Sequence, residues 1–141
     1  PAARVLELGC GLAAPSIVAA RAGALVLATD GATDAVAYAA HSLALNQKTG
    51  DVAHAAWADH GDELAGRGPF DLVLGADVLY TPANAEVLAK LLPRLLAPWG
   101  EVRLADPGRA NAGRFLTAAR ESFAIREHED GDVTLYRLVQ R

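Results

Sequence analysis

The stretch Arg4–Ser16, "RVLELGCGLAAPS", decides how this chain folds. An apolar run from Arg4 to Leu8 reads as a strand and breaks on Gly9-Cys10-Gly11. Two glycines one residue apart let the backbone turn tightly and approach a ligand closely. Pro15 then suits the first turn of a helix, where its missing N–H has no partner to lose. That helix runs through Ile17, Val18 and Ala20 to about Ala22 and stops at Gly23. Strand, glycine turn and helix N-terminus together offer backbone N–H groups to a bound anion.

The pattern repeats outward. "ALVLAT" (24–29) is a second strand closed by Asp30-Gly31, and Thr33 or Asp34 caps a helix running to Asn46, with Gly50 as its stop. "DVAHAAW" (51–57) is a weaker third strand ending near Trp57. Residues 58–69 are polar and glycine-rich and hold at most a short helix around Asp62 to Ala65. "FDLVLGA" (70–76) is a strong fourth strand. Thr81 caps a helix over 81–97 in which Pro93 is expected to kink or break the last turns. "EVRLAD" (101–106) is a fifth strand and 111–122 a further helix. "FAIREHEDGDVTLYRL" (123–138) reads as two strands joined by a turn at Asp130-Gly131.

Alternating strands and helices with a closing hairpin predict an α/β fold: Rossmann-like, doubly wound, with a mostly parallel seven-strand sheet and a C-terminal antiparallel hairpin. The 141 residues fit one domain, so residues 1–141 are read as a single core. In such sheets the ligand sits beyond the carboxyl ends of the strands. Gly9, Asp30, Trp57, Asp77 and Asp106 all fall at such ends, which points to one shared site.

Composition narrows the partners. A hydrophobic content of 52% excludes a disordered chain. A net charge of -4 argues against broad electrostatic binding of nucleic acid or anionic membranes. No apolar run reaches the ~20 residues that span a bilayer. Cys10 is the single cysteine, so no internal disulfide forms, and a cytoplasmic location is expected. The four histidines, His41, His54, His60 and His128, lack metal-ligand spacing, so no metal is expected.

Dinucleotide enzymes and S-adenosylmethionine enzymes both use a strand and glycine turn of this kind. Asp30, 21 positions past Gly9, sits in either design where an acid accepts hydrogen bonds from ribose hydroxyls. Glu7 separates them. An acid at the strand end can pair with the ammonium of a methionine moiety, whereas it repels pyrophosphate.

"VLELGCGLAAPSIVAARAGA" (5–24) with "VLATDG" (26–31) resembles the first two motifs of class I S-adenosylmethionine-dependent methyltransferases. "FDLVLGADVLY" (70–80) resembles the fourth-strand segment of the seven-strand protein-lysine methyltransferases of family 16, with Asp77 and Tyr80 in D-x-x-Y spacing. "LADPGR" (104–109) is similar to a fifth-strand ending in the branch that methylates the electron transfer flavoprotein β subunit.

The resemblance implies that Glu7, Gly9, Cys10 and Gly11 hold the methionine end of S-adenosylmethionine. It implies that Asp30 and Gly31 hold the ribose and that Trp57 packs on adenine. Asp77 then lies at the cofactor–substrate junction and Tyr80 borders the acceptor channel; these two are the catalytic candidates. Asp106 and Arg109 are candidate substrate contacts, with Arg109 presented to an acidic protein surface. The acceptor implied is a protein lysine, with the flavoprotein β subunit as the branch's own substrate.

Three departures stand out. Members of the family normally carry an N-terminal segment ahead of the first strand, and here only Pro1-Ala2-Ala3 precede it, so a fragment, a minimal core or an open site is expected. The span from Trp57 to Pro69 is short for a full crossover helix, and Trp99-Gly100 replaces a Gly-Gly turn. Three alternatives stay open: methylation of a small molecule, a cofactor-binding module without turnover, and an NAD-dependent oxidoreductase.

Overall fold

The computed structural model describes Pro1–Arg141. Its elements run β1 (Arg4–Leu8), α1 (Ala14–Arg21), β2 (Leu25–Asp30), α2 (Thr33–Leu45), β3 (Asp51–His54), α3 (Trp57–Arg67), β4 (Phe70–Ala76), α4 (Pro82–Leu95), β5 (Leu96–Asp106), α5 (Ala112–Ala119), β6 (Phe123–Asp130) and β7 (Val133–Gln140). The seven strands form one sheet in the order β3-β2-β1-β4-β5-β7-β6. The first five strands in that order pair in parallel, and β7 runs antiparallel to both β5 and β6. This is the doubly wound architecture expected from the element order. Strand order reverses between β1 and β4, and the cleft lies there.

The two faces of the sheet are packed unequally. Helices α1 and α2 lie against β1, β2 and β3, while α4 packs on β4 and β5 and touches α3 and α5. The main apolar core is on the α4 side, where Leu88, Leu92 and Leu95 meet Leu6, Leu8, Val102, Leu104, Phe115 and Phe123. The α1–α2 side holds smaller side chains, with Cys10, Ala13, Ala28 and Ala39 in one cluster and Val5, Val26 and Leu43 buried besides. Alanine-rich helices bring little side-chain area, and burial stabilises at roughly 25 cal/mol per Å². Fold stability therefore rests mainly on the leucine side.

Four local expectations are corrected. Trp57–Arg67 is helical in two pieces that meet at a non-helical His60, so the third strand ends at His54 and Trp57 opens α3. The apolar stripe there is thin, and only Leu64 is buried, which hid the helix among polar residues. Helix α2 begins after Ala32, which offers no side-chain cap; Thr33 and Asp34 lie inside the first turn. Pro93 is accommodated within α4, which continues to Leu95. Strand β5 starts at Leu96, because a register shift lets Phe70 pair with Leu96 and Leu72 with Glu101. The extra residues include Trp99, which is 80% exposed.

Gly100 sits where that bulge presses on β4. A methyl group there would stand 2.8 Å from the Phe70 carbonyl oxygen and 3.1 Å from that of Ala97. Both neighbours are backbone and cannot swing aside. Gly100→Ala is expected to cost about 1–3 kcal/mol of stability, read as a lowered Tm with unaltered ligand affinity at the distant cleft.

Candidate functional site

A cleft of about 460 Å³ opens over the carboxyl ends of the parallel strands. Gly9, Asp30, Gly31, Trp57, Asp77 and Tyr80, all singled out from the sequence, line it together. Ala32, Ala55, Ala56, Ala58, Val78, Ala83, Asn84 and Val87 complete the wall and were missed. Small side chains carry no motif, yet the alanines let a flat ligand approach the backbone. Asn84 had a local signal: its N–H is 3.1 Å from Thr81 Oγ1, the cap that starts α4.

Gly9 has φ 61°, a left-handed conformation that glycine adopts freely. A methyl group there would lie 3.2 Å from Val78 Cγ1 and 3.5 Å from the Trp57 ring. The glycine is thus required both for the turn and for the closeness of Trp57. Trp57 Nε1 is buried and has no acceptor within the protein. His54 Nε2 lies 2.9 Å from the Gly31 carbonyl, and the Ala56 N–H donates to His60 Nδ1 at 3.0 Å. The two imidazoles brace the wall from behind; neither lines the cleft.

Asp30 ties two loops. Its Oδ2 accepts the Gly11 N–H at 3.0 Å and its Oδ1 accepts the Ala32 N–H at 2.9 Å. Each oxygen keeps lone-pair capacity for a further donor from the cleft.

Glu7, Cys10 and Gly11 do not line the cleft. Glu7 is 2% exposed, and its Oε2 accepts the backbone N–H of Ser16 at 2.7 Å and the Ser16 hydroxyl at 2.5 Å. It satisfies an otherwise free N–H in the first turn of α1, a position that suits a negative charge. The carboxylate that separated the two ligand designs in the sequence thus anchors a helix here. Ser16, its partner, is fully buried and gave no signal of its own. Cys10 packs among alanines, and burial, aided by the Glu7 and Asp30 carboxylates, pushes its thiol up to about 12. Such a thiol is unreactive at neutral pH.

Asp77 follows β4 with φ 54°, held by its N–H to the Ala105 carbonyl at 2.8 Å. Arg109 Nε and Nη2 each donate to Asp77 at 2.7 Å, one to each carboxylate oxygen. These bonds hold the Asp77 carboxyl below the usual carboxylate range. Asp77 is therefore a weak proton acceptor and a good hydrogen-bond acceptor.

Arg109 does not line the cleft, and its guanidinium is spent on Asp77. Asp106 does not line the cleft either. It is 1% exposed, and its Oδ2 accepts the N–H groups of Gly108 and Arg109 at 2.9 and 2.8 Å. Its Oδ1 is buried without a partner. An unpaired buried acceptor costs about 1–3 kcal/mol, whereas a half-exposed ion pair such as Asp77–Arg109 contributes roughly 0–1 kcal/mol.

An open doubly wound sheet with this cleft, and with acids at the ends of β2 and β4, has the architecture of class I methyltransferases. The chain belongs to the lysine methyltransferase family, whose model matches residues 2–121. It is 34% identical to the protein N-lysine methyltransferase METTL21A of Danio rerio over 97% of this chain and 66% of the relative. It is 35% identical to the histone-arginine methyltransferase METTL23 of Xenopus laevis over 59% of this chain and 37% of the relative. The chain thus spans no more than about two thirds of the curated relatives it matches. Among solved structures it resembles a TehB-like SAM-dependent methyltransferase from Corynebacterium glutamicum, with a TM-score of 0.80 and 18% identity, over all of this chain and 82% of that one.

Burial raises the Glu7 carboxyl from its ordinary 4.5, the Ser16 hydrogen bonds offsetting part of the rise. A raised acid binds protons more readily in the folded state, so this contribution to stability is lost as pH climbs through the raised value. Glu7→Gln removes that titration. Thermal melts at pH 4 and pH 7 are expected to show the variant gaining on the wild type at the higher pH.

Proposed function

We propose that this chain is the catalytic core of an S-adenosylmethionine-dependent methyltransferase whose acceptor is a protein lysine. One observation carries the reading: Asp30 and the Asp77/Tyr80 pair line one and the same cleft, so a nucleoside and an acceptor side chain can meet inside it. Membership of the lysine methyltransferase family and the likeness to METTL21A support the same conclusion.

The residues present fit the cofactor. Asp30 retains acceptor capacity for ribose hydroxyls, Gly31 and the alanines offer a flat wall for adenine, and Trp57 brings both a ring and an unpartnered donor. Bound S-adenosylmethionine supplies an electrophilic methyl group on a positively charged sulfur. Transfer is an in-line displacement, so the protein's task is to fix geometry and exclude water. A free lysine has a pKa of about 10.4, and exposing its lone pair near pH 7 costs about 4 to 5 kcal/mol. An apolar wall favours the neutral amine, and Val78, Ala83 and Val87 provide one. Asp77 orients that amine by a hydrogen bond, and the half-exposed Tyr80 ring flanks it at the cleft mouth.

The finer reading, the electron transfer flavoprotein β subunit as acceptor, rests on the resemblance of Leu104–Arg109. We also place the protein in the cytoplasm. A single, buried cysteine suits a reducing compartment.

Calorimetric titration with S-adenosylmethionine, its demethylated product and NAD tests the cofactor directly. Binding of the two sulfur ligands without NAD is expected; binding of NAD alone overturns the reading. Asp30→Ala is expected to weaken S-adenosylmethionine roughly ten- to hundredfold, as the loss of charge-assisted hydrogen bonds requires. Asp77→Asn is expected to lower kcat roughly tenfold or more with a small change in cofactor Kd. Full turnover in Asp77→Asn would remove Asp77 from the reaction.

A further inference from the structure

Arg109 is the feature that the proposed reaction does not by itself require. Its Nε and Nη2 fork both oxygens of Asp77 at 2.7 Å, although the two residues stand 32 positions apart. The fork is built. Buried Asp106 spends one oxygen on the Gly108 and Arg109 N–H groups, and Gly108 takes φ 94° to close the turn. An arginine placed only for solubility needs no such support.

A carboxylate pairs with a guanidinium most strongly side-on, through two parallel N–H···O bonds. That geometry is already taken at Asp77. A second guanidinium arriving from the cleft meets a like charge and finds no free edge on which to fork. An amine needs one hydrogen bond, and a carboxylate forked by one arginine still has lone pairs for it. Building on the methyltransferase reading, we propose that Arg109 is a specificity-determining residue: by occupying the two-oxygen edge of Asp77 it reserves the acceptor site for amines and excludes guanidinium side chains.

The consequence separates lysine from arginine as acceptor, a distinction that matters because one relative bears a histone-arginine name. A lysine at position 109 preserves the positive charge but cannot fork. It therefore separates the effect of the charge from that of the geometry.

The test uses two pools of synthetic peptides with randomised flanks free of lysine and arginine, one with a central lysine and one with a central arginine. Methyl incorporation from radiolabelled S-adenosylmethionine is measured for wild type, Arg109→Gln and Arg109→Lys, each shown by thermal melting to be folded. The wild type is expected to label the lysine pool at least roughly tenfold over the arginine pool, and both variants to narrow that ratio roughly tenfold. A ratio within about twofold of the wild type's in both variants, or equal labelling of the two pools by the wild type, overturns the proposal. If the wild type binds the cofactor yet labels neither pool, the lysine-transfer reading itself falls, and this inference falls with it.

Discussion

Asp30 accepts one hydrogen bond from the turn after β1 and another from the start of α2, and so joins the two loops that floor the cleft. Five parallel strands ending on one rim would otherwise leave five independent loops there. With the loops tied, Trp57 and Val78 stand so close to Gly9 that a methyl group there would press on both. The same carboxylate keeps capacity toward the cleft, so a fold-holding group doubles as a ligand-facing one. This economy is possible because a carboxylate has about four acceptor positions and two backbone donors occupy half of them.

The two walls have different mechanical footing. The Asp77 wall grows from β4 and α4, which carry the leucine core. The Asp30 wall belongs to β2 and α2, where Ala28 and Ala39 share a small cluster, Leu43 is buried on α2, and Leu27 of β2 reaches the main core. Openings of lower free energy are expected on the thinly packed side. That places the adaptable wall around the nucleoside and the stiff wall around the acceptor, where orientation decides the rate.

Burial and charge assign unlike duties to chemically similar acids. Glu7 is withdrawn from solvent and caps α1; Asp106 is withdrawn and fixes a turn; Asp30 is partly open; Asp77 faces the cleft mouth under a guanidinium. Only the last two line the cleft. An acid at the carboxyl end of a parallel strand is therefore not by that fact a ligand contact. The next helix's first turn competes for it, and in β1 the helix wins.

Most of the architecture could be read from the residues, because strand length, glycine turns and helix stops are local properties. Asp30 and Asp77 were legible for the same reason: strand ends in a parallel sheet converge whatever the side chains do, whereas Tyr80 came from the family resemblance of the D-x-x-Y segment. Helix α3 was hidden because few of its residues are apolar and its helical geometry breaks at His60. The start of β5 was hidden by a bulge that only pairing with β4 defines. What Glu7, Asp106 and Arg109 do was beyond the sequence altogether. Their partners are Ser16, the Arg109 backbone and Asp77, and each contact depends on side-chain direction and on elements brought together from afar. The sequence by itself determined the sheet, its turns and the rim on which the acids stand. Tertiary packing alone decided which acids face the cleft, because burial and hydrogen-bond geometry exist only once the chain is folded.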